Sequence, residues 1–353
     1  EPRTIDDPYH TAPSIGIDKS GYVHVVYNMH NMPWQYAVSE QPGDISRFTF
    51  KGTRLSDAQI ADLAADRFTA EVVRAMSDVG TAAIPGNQIT YPAFFHDRHG
   101  ELYVTYRFAI KPAAAPADRA FGCGIARYDV ERQTWTAIGG GVADAPGVTA
   151  FCVKAGWTAY LPRLWFDKGN GMHVTWTWRR GQAGAEMTRP GYAFSADAGK
   201  TFQAADGTAY RLPITPETTK AFMGAGEDGF FAMTSLTTSP KGRIYAGVQP
   251  LGSAWSMTMR EPGQALWSPP QIAPYGAQAL MADDSGTVWA FASGPRILNR
   301  PADAAADAPW RLVYSSSGYN FPKVLMVPEE KAFLLHVLAD DTSSARILMV
   351  HWQ

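Results

Sequence analysis

Apolar and polar positions alternate along most of this chain at a period of two, the spacing of a strand with one buried face. The runs are short and are punctuated by Gly, Pro, Asn and Asp. One unit recurs: an apolar run containing Pro or Ser, then Asp-x-x-Gly or a similar turn, then an alternating aromatic and β-branched run. It reads Pro13-Ser-Ile-Gly-Ile-Asp-Lys-Ser-Gly-Tyr-Val-His-Val-Val-Tyr27 and again Pro92-Ala-Phe-Phe-His-Asp-Arg-His-Gly-Glu-Leu-Tyr-Val-Thr-Tyr106. Further copies span Pro162 to Trp176, Thr234 to Tyr245, Leu280 to Trp289 and Pro322 to His336, which makes six countable units.

Each unit predicts a hairpin, and four run on into a further aromatic segment, as in Tyr36-Ala-Val-Ser and Tyr192-Ala-Phe-Ser. Strand, turn, strand and a second hairpin is the grammar of a propeller blade, so the predicted fold is an all-β β-propeller forming a single domain over residues 1–353. Ser195-Ala-Asp-Ala-Gly-Lys-Thr-Phe202 has the form of an Asp-box, a turn in which the carboxylate accepts backbone N–H groups and Gly takes a positive φ. That turn marks a fold and carries no chemistry.

One helical insertion interrupts the strands at residues 51–80. Ser56-Asp-Ala-Gln59 is a capping box, and Ile60, Leu63, Phe68, Val72 and Met76 follow at helical steps. A stretch this short buries no core of its own, so it reads as an insertion between the first two units.

Composition sharpens the picture. The 353 residues include 32 Gly, 25 Pro, 11 Trp, 15 Tyr and 17 Phe, the mixture of many short strands and tight turns. Thirty-one basic residues against 33 acidic ones leave a net charge of −2 and no basic cluster, which excludes a nucleic-acid binder working by phosphate neutralisation. No window approaches the roughly 18 uninterrupted apolar residues of a membrane span. The two cysteines, Cys123 and Cys152, favour a disulfide in an oxidising compartment, with two buried thiols as the alternative. No His-Glu-x-x-His, Cys-x-x-Cys or acidic run is present, so no metal ligands are predicted and no cofactor is required; a structural calcium or zinc ion has no predicted site.

Position within the repeat sorts the histidines. His24 and His173 lie inside equivalent strands, which predicts a shared packing role. His10 precedes the first hairpin and His30 follows it, so a chain that goes out and returns brings both toward one end. Tyr91 opens the second hairpin and Arg107 ends it, which makes them neighbours; Tyr160 and Arg163 repeat the opening position in the third unit, and Arg179 repeats the closing one.

Together Asp-x-x-His10, Pro-Ser-Ile-x-Ile-Asp, Gly-Tyr-Val-His-Val, Asn-Met-His30-Asn-x-Pro-x-x-Tyr36, Ile-Thr-Tyr91-Pro-x-Phe-Phe and Tyr-Arg107 resemble the BNR-4 group of seven-bladed propellers. That group includes ulvan lyases and lyases of the L-rhamnose-α-1,4-D-glucuronate linkage in gum arabic. The matching motifs cover about residues 7–180. The resemblance implies seven blades, a uronic-acid polysaccharide or oligosaccharide as substrate, and His10, His30, Tyr91 and Arg107 as the catalytic set. It adds Arg163 or Tyr160 as substrate-binding residues, and position alone adds Asn31, Trp34 and Arg179 to that set. Ulvan lyases also hold a structural zinc through His and Cys after the Tyr-Arg motif; here Cys123 has no nearby histidine.

The chemistry suits that set. Eliminating a glycoside across C4 and C5 of a uronate removes a proton beside a carboxylate, and the enolate-like charge must be stabilised. Arg107 has the planar fork for a carboxylate, while His10, His30 and Asn31 supply further donors. A tyrosine of reference pKa near 10 becomes a base only beside cations, which an Arg and two histidines supply; Tyr91 is assigned as the principal acid/base, with His30 or His10 assisting or taking the base role.

The expected protein is therefore a secreted or periplasmic monomeric polysaccharide lyase, with no nucleic-acid or membrane partner. A glycoside hydrolase releasing rhamnose through a catalytic histidine is the alternative. A non-catalytic carbohydrate-binding propeller, stacking sugars on Trp34, Trp157, Trp176 and Trp178, is another; a sialidase is disfavoured by the lack of Arg-Ile-Pro.

Overall fold

The computed structural model describes residues 13–65, 67, 69–77, 84, 86–110, 121–180, 187–220, 230–250, 254–318, 323–327, 330–338 and 345–352. The chain divides into two compact units, residues 1–166, 170–204 and 208–220 in the first and the remainder in the second.

In the first unit the alternating runs become β1 (Ser14–Ile17), β2 (Val23–Val26), β3 (His30–Met32), β4 (Tyr36–Ser39) and β5 (Phe48–Phe50). All but β3 form one antiparallel meander, and β3 crosses to the next sheet. After the helices α1 (Asp57–Ala64) and α2 (Ala70–Ser77), a second meander is built from β6 (Asn87–His96), β7 (Leu102–Ala109), β8 (Phe121–Asp129) and β9 (Thr134–Ile138). A short ladder of β10 (Gly140–Gly141) and β11 (Thr149–Ala150) follows. The third meander comprises β12 (Thr158–Phe166), β13 (Met172–Arg180), β14 (Met187–Ser195) and β15 (Phe202–Gln203), with β16 (Ala209–Tyr210) at its edge.

The second unit repeats the plan. Its sheets are β17 (Phe230–Thr238), β18 (Ile244–Pro250), β19 (Ser256–Arg260) and β20 (Gln271–Ile272); β21 (Ala279–Ala282), β22 (Thr287–Ala292), β23 (Arg296–Pro301) and β24 (Arg311–Ser315); and β25 (Lys323–Val327), β26 (Ala332–Leu338) and β27 (Ala345–His351). Six meanders thus stand among the described residues, one for each repeat read from the sequence.

The repeated Asp-x-x-Gly has a repeated geometry. Asp18 Oδ1 accepts the amides of Ser20 and Tyr22 at 2.8 and 3.0 Å. Asp97 does the same with His99 and Glu101, both at 2.8 Å, and Asp283 with Ser285 and Thr287, both at 2.9 Å. The carboxylate caps the tight turn while Gly21, Gly100 and Gly286 take the left-handed φ that the turn requires. Six residues further on, the strand can return a donor to the same carboxylate. His24 Nε2 lies 3.1 Å from Asp18 Oδ2, and Trp289 Nε1 donates to Asp283 Oδ2 at 2.8 Å.

This accounts for the buried histidines. With Nε2–H toward Asp18, His24 Nδ1 accepts the Tyr36 hydroxyl at 2.6 Å, and burial draws its pKa below 6.5. His173 pairs in the same way with the Tyr192 hydroxyl at 2.8 Å. Both are packing residues, as their placement in the strands predicts. The Asp-box also forms as read: Asp197 accepts the Thr201 amide and hydroxyl at 2.9 and 2.7 Å, and these bonds hold its carboxyl down at about 2.

Large aromatics lie flat over glycines on the neighbouring strand. Tyr106 opposes Gly124 and Trp176 opposes Gly191, and a Cβ at either glycine would come within 2.3 Å of the ring. Trp34, at 0% exposure, stacks edge-on against Tyr106 at 4.9 Å in the same core.

Two features depart from the sequence reading. The insertion is two helices instead of one, because Thr69 starts a second: its carbonyl accepts the Val73 amide at 2.9 Å and its hydroxyl the Val72 amide at 3.3 Å. The Ser56 capping box on α1 is present as predicted, while Phe68 lies outside the described residues. Cys123 and Cys152 are free buried thiols, not a disulfide. They face each other across an isolated bridge and hydrogen-bond each other, and burial pushes the Cys123 thiol up.

Candidate active site

Three strands of the first unit bring the candidate residues together. β3 pairs His30 with Thr90 on β6, and Thr90 pairs with Arg107 on β7, so the three form one cross-strand row that Cys123 on β8 continues. The ladder is irregular at this row. Register shifts fall between Asn87 and Thr90 and between Thr90 and Ala93, and a matching shift separates Tyr160 from Arg163 on β12. Such bulges bend a strand and re-aim its side chains.

The backbone is strained at the same places. Asn28, Asn31, Gln88, Tyr91 and Leu161 all have positive φ, between 47° and 57°, the region that favours glycine. Tyr91 and Leu161 each stand directly before a proline, Pro92 and Pro162. The strained positions of consecutive meanders therefore correspond, with Thr90 matching Tyr160.

Arg107 is the centre of the group. Although charged, it is only 5% exposed. Its Nη2 donates to Asn31 Oδ1 at 2.9 Å and to Thr90 Oγ1 at 3.0 Å. The guanidinium carbon lies 5.1 Å from the ring centres of both Tyr91 and Tyr160, and 4.7 Å from that of Phe121. Arg179 stands 4.5 Å from the Tyr160 ring, so this tyrosine carries two guanidiniums. The Tyr91 and Tyr160 rings are 6.0 Å apart and tilted by 46°.

No carboxylate is paired with Arg107 among the described residues, and its Nε is buried without a hydrogen-bond partner. A buried cation held only by neutral dipoles and aromatic faces keeps its positive charge uncompensated, which suits it chemically to an anion. Tyr91 is half-buried, so its ring remains reachable. Tyr103 and Tyr106 nearby in sequence are sealed, and burial pushes the Tyr103 hydroxyl up to about 12 and raises that of Tyr106 further.

The predicted set is thus partly assembled. Tyr91, Arg107, Asn31, Tyr160 and Arg179 are in mutual contact or linked through one neighbour, and His30 stands in the same row. Arg163 is half-buried on β12, where its Nη1 reaches the Pro162 carbonyl at 3.4 Å and loss of hydration lowers its pKa. His10 lies outside the described residues. Trp34 must be reassigned: at 0% exposure it has no surface to offer a sugar and belongs to the core, as do Trp176 and Trp178. The sequence reading passed over Thr90 and Phe121, although Thr90 is adjacent to Tyr91 in Ile-Thr-Tyr-Pro. Among the described residues no group of three or more His, Cys, Asp or Glu is placed to hold a metal ion, and no helix is long and apolar enough to cross a membrane.

Residues 2–253 match the model of the BNR repeat-containing family. The chain belongs to this family. No curated protein sequence matches it. Among solved structures it is similar to the polysaccharide lyase Uly1, at 14% identity over 98% of this chain and 78% of that one, with a TM-score of 0.66. It is also similar to a PL25 ulvan lyase bound to -[GlcA(1-4)Rha3S]-, at 13% identity over 99% and 80%, TM-score 0.60. An α-L-arabinofuranosidase from Fusarium graminearum shares 12% identity over 98% and 94%, TM-score 0.51. These likenesses establish the all-β propeller fold of this BNR-repeat protein.

Proposed function

We propose that this protein is a polysaccharide lyase that cleaves a uronic-acid linkage of the rhamnose–glucuronate or ulvan type by β-elimination. The observation that carries the proposal is Arg107: buried, with no carboxylate partner among the described residues, and 5.1 Å from the ring centres of both Tyr91 and Tyr160. A uronate carboxylate drawn to this uncompensated positive charge brings the acidic C5 proton of the sugar beside the tyrosine ring. The same guanidinium stabilises the charge that develops on that carboxylate as the proton leaves.

In the proposed step Tyr91, as phenolate, takes the C5 proton. The electron pair of the C–H bond becomes the C4–C5 double bond, and the C4–O4 bond breaks with its electrons going to O4. A proton from Tyr91 or from His30 completes the leaving group. The Arg107 guanidinium carbon lies 5.1 Å from the ring centre, so positive charge stands beside the group proposed as base. Arg179, across Tyr160, adds positive charge for an anionic chain, while the Asn31 carbonyl oxygen is already committed to Arg107. The likeness to lyases, one of them bound to a glucuronate–rhamnose oligosaccharide, supports the same substrate class.

The test is incubation with glucuronate–rhamnose glycans, sulfated and unsulfated, under ultraviolet monitoring. A 4,5-unsaturated uronate product supports the proposal. Free rhamnose with saturated glucuronate points to hydrolysis, and binding without turnover to a carbohydrate-binding propeller.

A further inference from the structure

The hydroxyl of Thr90 stands at the node of the site. Thr90 is 0% exposed, and its Oγ1 accepts the Asn31 amide at 2.9 Å and Arg107 Nη2 at 3.0 Å while donating to Asn31 Oδ1 at 3.2 Å. A hydroxyl has one donor and two acceptor sites, and here all three are used. Thr90 therefore has nothing left to offer a ligand. Its bonds instead join two parts of the site that are 76 residues apart, the left-handed Asn31 on β3 and the guanidinium on β7.

We infer that Thr90 is a positioning residue: its hydroxyl fixes the orientation of the Arg107 guanidinium, the charge proposed to attract a uronate carboxylate, and it holds Asn31 in place beside that cation. The inference rests on the proposed lyase reading of the same site. Two neutral acceptors, Thr90 Oγ1 and Asn31 Oδ1, fix Nη2 without neutralising its charge. A carboxylate in their place would hold the arginine as firmly but consume the charge the substrate needs. Without the Thr90 hydroxyl, the Arg107 fork loses one of its two anchors and the Asn31 amide loses its acceptor.

Thr90→Val keeps the shape and β-branching and removes all three bonds; Thr90→Ser keeps the hydroxyl. On a glucuronate-containing oligosaccharide, Thr90→Val is expected to lower kcat/KM by roughly ten- to a hundredfold, the worth of a charge-assisted hydrogen bond. Thr90→Ser should recover most of that. The decisive readout is a double-mutant cycle with Arg107→Lys. If Thr90 acts through Arg107, Thr90→Val has little further effect once the arginine fork is gone. A full, additive loss in the Arg107→Lys background, or unchanged kcat/KM in Thr90→Val, overturns the inference. Should Thr90→Val fail to fold, Thr90→Ala in the same cycle removes the same hydroxyl, and it is judged by the same criterion. If the parent binds the oligosaccharide without turnover, the lyase reading falls, and the same cycle on dissociation constants decides for or against Thr90. If the parent neither binds nor cleaves it, both fall.

Discussion

Tyr91 has φ 57°, where a side chain's Cβ crowds the backbone and glycine does not. Removing the ring by Tyr91→Ala and by Tyr91→Gly deletes the same contacts with Tyr160 and Arg107, so the difference between the two variants isolates the backbone. A left-handed residue with a Cβ costs about 1–2 kcal/mol. Against this, glycine's greater freedom in the unfolded chain costs about 0.4–1 kcal/mol. The glycine variant should therefore be the more stable of the two by about 1 kcal/mol, or roughly 1–2 °C in Tm for a chain of this size. Thermal unfolding followed by circular dichroism measures it. Thr136, exposed on β9 with ordinary backbone, provides the control: there alanine should be the more stable by about 0.5–1 kcal/mol. If alanine equals or exceeds glycine at Tyr91 as well, the strained conformation is absent and the bulge does not aim this side chain.

Three further outcomes follow from the packing and the charges. Gly124→Ala drives a Cβ to 2.3 Å from the Tyr106 ring and should destabilise by about 1–3 kcal/mol in urea unfolding, whereas Gly141→Ala, with open space around it, should not. Because burial depresses the pKa of His24, the unfolded chain binds its proton more readily. Stability is then fully present above about pH 6.5 and declines as the pH falls below it, and His24→Gln should flatten that slope in unfolding midpoints. Arg107→Lys keeps the charge but loses the fork, so kcat/KM on a uronate glycan should fall by about ten- to a hundredfold; equal activity would exclude Arg107 as the carboxylate clamp.

Much of this was legible in the chain because strands have a short period and turns have fixed chemistry. Asp18, Asp97 and Asp283 mark their hairpins by the same bonds to the amides two and four residues on, so the repeat could be counted before any contact was known. Hairpin arithmetic also brought Tyr91 to Arg107. Trp34 was misread because an aromatic residue between two strands looks the same whether it faces solvent or the Tyr106 ring; only packing decides. Thr90 and Asn31 escaped as a linked pair because a register shift places them, and a shift leaves no mark in an alternating pattern. The second helix was hidden because Thr69 lies inside a run whose apolar spacing continues across it.

The central claim is that Arg107, flanked by Tyr91, drives elimination at a uronate. Its most direct measurement is the ultraviolet absorbance of the products released from a glucuronate–rhamnose oligosaccharide by the parent and by Tyr91→Phe. The account predicts steady growth of the 4,5-unsaturated uronate signal with the parent and its loss with Tyr91→Phe. Cleavage that yields saturated glucuronate, or full activity in Tyr91→Phe, would contradict it.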